Sequence, residues 1–184
     1  IGFRFSVPVL LSAVLCSGCM TVSHPLSSVN LKEPGWTVRQ GQAVWHLAKA
    51  QGGREFAGEV LVATRPDGRA FVQFSKSPFP LVIGQENPHQ WQIEFPPQNK
   101  HYAGRGKPPK RIIWLYLPEV LAGKSPPEDW SWHEDSSGWK LEDHLNGESI
   151  EGFFESGTAL KPLDWPAFVR FSSSPSPKPV PVLD

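Results

Sequence analysis

The sequence predicts a mainly β domain (α+β): a curved antiparallel sheet or half-open β-barrel covered by one short helix. Three observations carry this. Apolar residues recur with period two through most of the chain, the runs end at turn signals, and helical spacing occurs once. The chain has 184 residues, which suits one domain with tails. At 39% hydrophobic and 11% aromatic it carries enough apolar surface for a packed core. Its 20 Pro and 16 Gly fall short of low-complexity composition. Lys+Arg and Asp+Glu both number 18, so no overall field selects nucleic acid or acidic substrates. A collagen-like chain, a disordered chain, a disulfide-stapled miniprotein and a globally basic nucleic-acid binder are thereby excluded. The unusual feature is eight Trp against one Met and two Tyr.

In chain order, the first strand is expected over 43–49. Strands over 56–64 and 69–76 flank Arg65-Pro66-Asp67-Gly68, a turn in which Pro fixes φ and Gly supplies φ > 0. A strand over 79–85 follows. Trp91, Ile93 and Phe95 then alternate with Gln90, Gln92 and Glu94, a half-buried strand with one wet face. Another strand is expected over 100–104. After Pro108-Pro109, residues 110–122 place Ile113, Leu117, Val120 and Leu121 at helical spacing, with Gly123 as the stop and Pro118 as a kink or break. Asn146-Gly147 signals a two-residue hairpin. Pairing outward from it sets Trp139 opposite Phe154, Leu141 opposite Gly152 and Asp143 opposite Ile150, with the two rings as an aromatic anchor. A last strand is expected over 167–171.

The two cysteines, Cys16 and Cys19, lie near the N-terminus. Arg4 followed by an uncharged run over 5–15 is too short to span a bilayer and matches the apolar region of a secretory signal peptide. Leu15-Cys16-Ser17-Gly18-Cys19 resembles a bacterial lipobox, in which small residues precede a lipid-modified cysteine; Cys16 stands where Leu is usual. This implies a signal peptide over 1–18 and an acylated Cys19. Several acyl chains on one residue suffice for stable anchoring. A redox C-x-x-C and an uncleaved N-terminal anchor are the alternatives left open. Met20 is not the Asp that retains such proteins at the inner membrane, so the resemblance implies the outer membrane, periplasmic face. Residues 19–35, rich in Ser and Pro, form the lipidated start and a tether. Residues 36–171 form the domain, and 172–184, with four Ser and four Pro, form a disordered tail.

No catalytic motif is present: neither G-x-S-x-G nor H-E-x-x-H occurs. Gly123-Lys124-Ser125 resembles the end of a P-loop, but it follows a helix and Pro118 holds the first-glycine position. His133-Glu134-Asp135 is an acid/base cluster that a solvated strand end explains equally. The six His are dispersed, with no pair at zinc-ligand spacing. Neither a metal nor a cofactor is expected, and the chain is not read as an enzyme. Lys100, Arg105, Lys107, Lys110 and Arg111 fall in an acid-free stretch that reads as a solvated loop or as a contact for anionic lipid headgroups, ahead of nucleic acid, which a secreted lipoprotein rarely meets. Trp45, Phe56, Phe71, Phe74, Trp91, Ile93, Trp114, Trp139 and Phe154 are the candidate lining of an apolar cavity, with an ordinary core as the alternative. Burial contributes about 0.8 kcal/mol per CH₂, so apolar walls alone can hold an acyl chain.

A lipobox, a Ser/Pro tether, strands with an early Trp, a Ser-Pro-Phe-Pro loop and a short amphipathic helix occur in an order that resembles the LolA/LolB family of periplasmic lipoprotein carriers and receptors. The likeness spans roughly 42–154. It implies a half-open antiparallel barrel closed by helices, acylated lipoprotein cargo, and a periplasmic carrier protein as a further partner. The lipid-anchored members are of the LolB type. Their Ser-Pro-Leu-Gly-like loop corresponds to Lys76-Ser77-Pro78-Phe79-Pro80, where Phe79 takes the place of the exposed apolar residue that helps deliver cargo to the membrane. Pro80 stands where Gly is usual. The competing expectation is a structural or signalling lipoprotein whose sheet is filled by its own side chains.

Overall fold

A computed structural model of the chain describes residues 26–155. Cys16, Cys19, the 1–18 segment, the strand expected over 167–171 and the 172–184 tail lie outside these residues. The described chain is mainly β, a nine-stranded antiparallel sheet with one short helix. The strands are β1 (Thr37–His46), β2 (Glu55–Thr64), β3 (Ala70–Lys76), β4 (Phe79–Asn87), β5 (Gln90–Phe95) and β6 (Lys100–Arg105), then β7 (Trp130–Glu134), β8 (Trp139–Asp143) and β9 (Glu148–Phe154). Helix α1 (Ile113–Leu121) lies between β6 and β7 in the chain.

Hairpin by hairpin, β1–β6 form one meander and β7–β9 a second; β1 and β9 join them, giving the order β6-β5-β4-β3-β2-β1-β9-β8-β7. The sheet curls. Strands four places apart in a flat sheet lie about 19 Å apart, yet the rings of Trp45 on β1 and Phe95 on β5 stand 6.4 Å centre to centre. Helix α1 fills the inside of the curl, touching β2, β3, β4, β8 and β9.

The helix is apolar on nearly every side: Ile113, Trp114, Leu115, Tyr116, Leu117, Pro118 and Val120 are all buried. It is therefore a core element and not the amphipathic cover expected. It also runs unbroken through Pro118, at the cost of the amide that would have reached the Trp114 carbonyl. Gly123, at φ 85°, supplies the left-handed residue that ends it. Trp114 locks it to the sheet, stacking on Phe74 at 4.9 Å and meeting Trp45 edge-on at 5.5 Å.

The opposite face is also covered, by the segment before β1. Val29, Leu31 and Trp36 pack on Leu61, Ala63 and Phe71. The Leu26 amide donates to Gln92 Oε1 at 2.8 Å, and Gln85 Nε2 donates to the Leu26 carbonyl. Residues 26–35, expected within the tether, thus lie on the sheet as a strap. This two-sided cover explains why Val60-Leu61-Val62-Ala63 on β2 is buried without alternation.

Several expectations need correction. The first strand begins at Thr37 and ends at His46, because Lys49–Gln51 turns as a 3₁₀ segment. No strand is expected at Trp130–Glu134, yet β7 forms there as an edge, with Trp130 and Trp132 alternating with exposed Ser131 and His133. The hairpin register also differs by two. Trp139 pairs with Gly152, Leu141 with Ile150 and Asp143 with Glu148. The loop holds four residues, since the Asp143 carboxylate accepts from the amides of Leu145 and Asn146 and from Asn146 Nδ2, while the Gly147 amide closes on the Asp143 carbonyl. Trp139 still stacks on Phe154 at 5.2 Å, now as a diagonal neighbour.

Candidate functional site

One end of the sheet gathers the close of β1 and β5 with the start of β2, β4, β6 and β9. There the structure opens a cleft of about 670 Å³, within the usual size of a small-ligand site. Its walls are Trp45, Phe56, Leu81, Phe95, Tyr102 and Ile112. Trp45 is their hub, 5.9 Å from Phe56 and 6.4 Å from Phe95.

Leu81 reaches the cleft through a bulge. Phe74 pairs with Val82 and Ser75 with Pro80, so Leu81 is the extra residue of β4. A bulge resets the alternation of side chains, and both Leu81 and Val82 consequently pack on the helix side. Just before it, Phe79, the first residue of β4 and the partner of Lys76, is 68% exposed at the same end of the sheet.

The cleft floor is polar at one point. Glu148, 7% exposed, accepts the Trp45 indole N–H on Oε1 at 2.8 Å. Burial, assisted by the nearby Asp143 charge, pushes its carboxyl up to about 7 in spite of the Trp45 donor. Trp45 differs in this from Trp36, Trp114 and Trp139, whose indole nitrogens are buried with no partner among the described residues.

Of the nine candidate cavity residues, Trp45 and Phe56 line the cleft. Phe74, Trp91, Ile93, Trp114 and Trp139 are buried within the core, and Phe154 packs against it. Phe71 faces the strap, for three residues along a strand from Phe74 reverses the face. The basic stretch divides likewise. Lys100 and Arg111 line the cleft, whereas Arg105 ends β6 at its far end, Lys107 follows it in the loop, and Lys110 pairs with Asp129 at 3.6 Å.

Sequence reasoning missed Arg54 and Glu148, both in the lining. Arg54 sits before a strand with no motif around it. Glu148 carried a signal: period two puts it on the face of Ile150 and Gly152, but its place after Asn146-Gly147 suggests a solvated turn.

The His133 cluster has structural employment. Asp135 accepts from the Ser137 hydroxyl, lies 2.9 Å from His133 Nε2 and accepts from the amides of Ser137 and Gly138, contacts that together hold its carboxyl below the usual range. Glu134 pairs with Arg39 at 2.8 Å. Among the described residues, no group of His, Cys, Asp or Glu is placed to hold a metal ion, and no helix is long and apolar enough to cross a membrane.

Fold and site together define a class: an open antiparallel sheet curled on a buried helix, with an aromatic-walled cleft at one end. The chain matches no family model, and no curated protein is significantly similar to it.

Proposed function

We propose that the protein is a lipid-anchored binding module that takes an acyl chain, free or on a lipoprotein, into this cleft. The observation that carries the reading is the aromatic cleft of about 670 Å³ beside an exposed Phe79 at one end of the sheet. In this reading the curled sheet is a half-open barrel and the molecule works in the manner of the LolA/LolB carriers and receptors. Cys19 holds it at the periplasmic face of the outer membrane, and Phe79 dips toward the bilayer to deliver cargo.

The test is native mass spectrometry of a Cys19→Ser chain purified without detergent, joined to displacement of a fluorescent fatty-acid probe. Co-purifying lipid and probe binding are expected; a clean apo mass with no probe binding defeats the reading. Phe79→Glu should leave folding intact and slow transfer of bound lipid to vesicles. Unchanged transfer would remove Phe79 from the mechanism. Labelled palmitate should enter the wild-type chain and not Cys19→Ser; equal incorporation disproves the anchor.

A second reading has its own support. The interior of the curl is filled by the chain's own side chains, with Trp114 at 1% and Leu117 at 0% exposure. This favours a structural or signalling lipoprotein that docks a protein partner and transfers no lipid. The apo outcome of the same experiment selects it.

A further inference from the structure

The cations of the cleft bear on what kind of ligand enters it. Arg54, Lys100 and Arg111 line it from three separate stretches of chain: the turn before β2, the first residue of β6 and the segment before α1. The Arg54 guanidinium stands 6.0 Å over the Phe56 ring, which holds it at the wall. None of the three forms an ion pair with another described residue, and although Lys32, Lys49, Lys76, Arg105 and Lys107 share this, only Arg54, Lys100 and Arg111 among the unpaired cations line the cleft. The single acid in the lining does not answer them. Glu148 is buried, spends an oxygen on the Trp45 indole, and forms no ion pair with any of the three.

An aromatic hollow edged by three unanswered positive charges is completed by a molecule with an apolar body and a negative head. The chain leaves water against the walls, and the head meets donors that pair most strongly with carboxylate or phosphate oxygens. We propose that the cleft selects single-chain amphiphiles with an anionic head, carboxylate or phosphate, over uncharged ones of equal chain length. This rests on the cleft-binding reading above and adds to it the chemistry of the head.

The experiment titrates the Cys19→Ser chain with laurate, dodecyl phosphate and monolaurin, which share a twelve-carbon chain, by calorimetry at low and high salt. Either anion should bind about tenfold more tightly than monolaurin, the gain that one or two charge-assisted hydrogen bonds supply. The gap should narrow in high salt. In the triple variant Arg54→Gln, Lys100→Gln, Arg111→Gln the gap should vanish, because anion affinity falls to that of monolaurin. These side chains are exposed, so folding is not threatened, and an unchanged melting temperature verifies this. The ratio of laurate to dodecyl phosphate tells carboxylate from phosphate. Equal affinity for all three ligands overturns the head preference and leaves the cleft reading standing. No binding by any of them overturns both. A preference that survives in the triple variant removes these cations as its source.

Discussion

At the floor of the cleft, the Glu148 carboxyl is shut away from water and offers one oxygen to the Trp45 indole. Its pH behaviour follows. In the unfolded chain the group loses its proton near the ordinary 4.5, and in the folded chain near 7. Between these values the folded state binds more protons, so stability falls as pH rises and the loss is complete above about 7. Half-buried Glu86 adds a parallel slope, since burial and the Glu119 charge also raise it to about 7 against the opposing Lys124. Glu148→Gln retains an oxygen for Trp45 and removes the titration. Urea unfolding should then find the variant and wild type alike at pH 4, and the variant more stable by about 1–3 kcal/mol at pH 8. An identical pH slope in both proteins would count against the buried carboxyl. At this scale the sequence was partly readable. Trp45 and Phe56 announced themselves as apolar strand residues, but nothing local told that Phe71 faces the strap or that Glu148 is enclosed.

Helix α1 and the strand beneath it meet at Gly84 of β4. A Cβ there would stand 2.9 Å from both Leu115 Cδ2 and Val72 Cγ1. The missing side chain is what lets the helix settle on the sheet. Gly84→Ala should lower stability by about 1–3 kcal/mol through overpacking, read as a fall in melting temperature. No change would mean that Leu115 has room to move. The helix was legible from its spacing, yet its burial was not, because periodicity reports the strongest face and α1 is wrapped on both sides. β5 was read with its observed bounds because its alternation is strict. The β8–β9 register was misread because the Asp143 carboxylate, by capping the loop amides, favours four loop residues over the two that Asn146-Gly147 suggests.

Across the molecule, the mainly β class and the single helix followed from local pattern, since each hairpin is encoded between neighbouring strands. What stayed hidden was long-range. No local signal pairs β1 with β9, lays residues 26–35 on the outer face, or draws Arg54, Lys100 and Arg111 to one cleft. The cleft itself exists only because the sheet curls, a property of the assembled strands and not of any segment.

The place of β1 in the strand order has a consequence for biosynthesis. Its partner on one side is the next strand in the chain, but on the other it is the last described strand, and Trp45 and Glu148 are 103 residues apart. As the chain leaves the ribosome at 5–20 residues per second, one flank of β1 therefore waits roughly 5–20 s for its neighbour to be made. For that interval residues 41–46 present a row of unsatisfied amides and carbonyls able to template a foreign strand. The nascent protein is open to mispairing there, and a chaperone that shields a single extended edge would protect it over that interval.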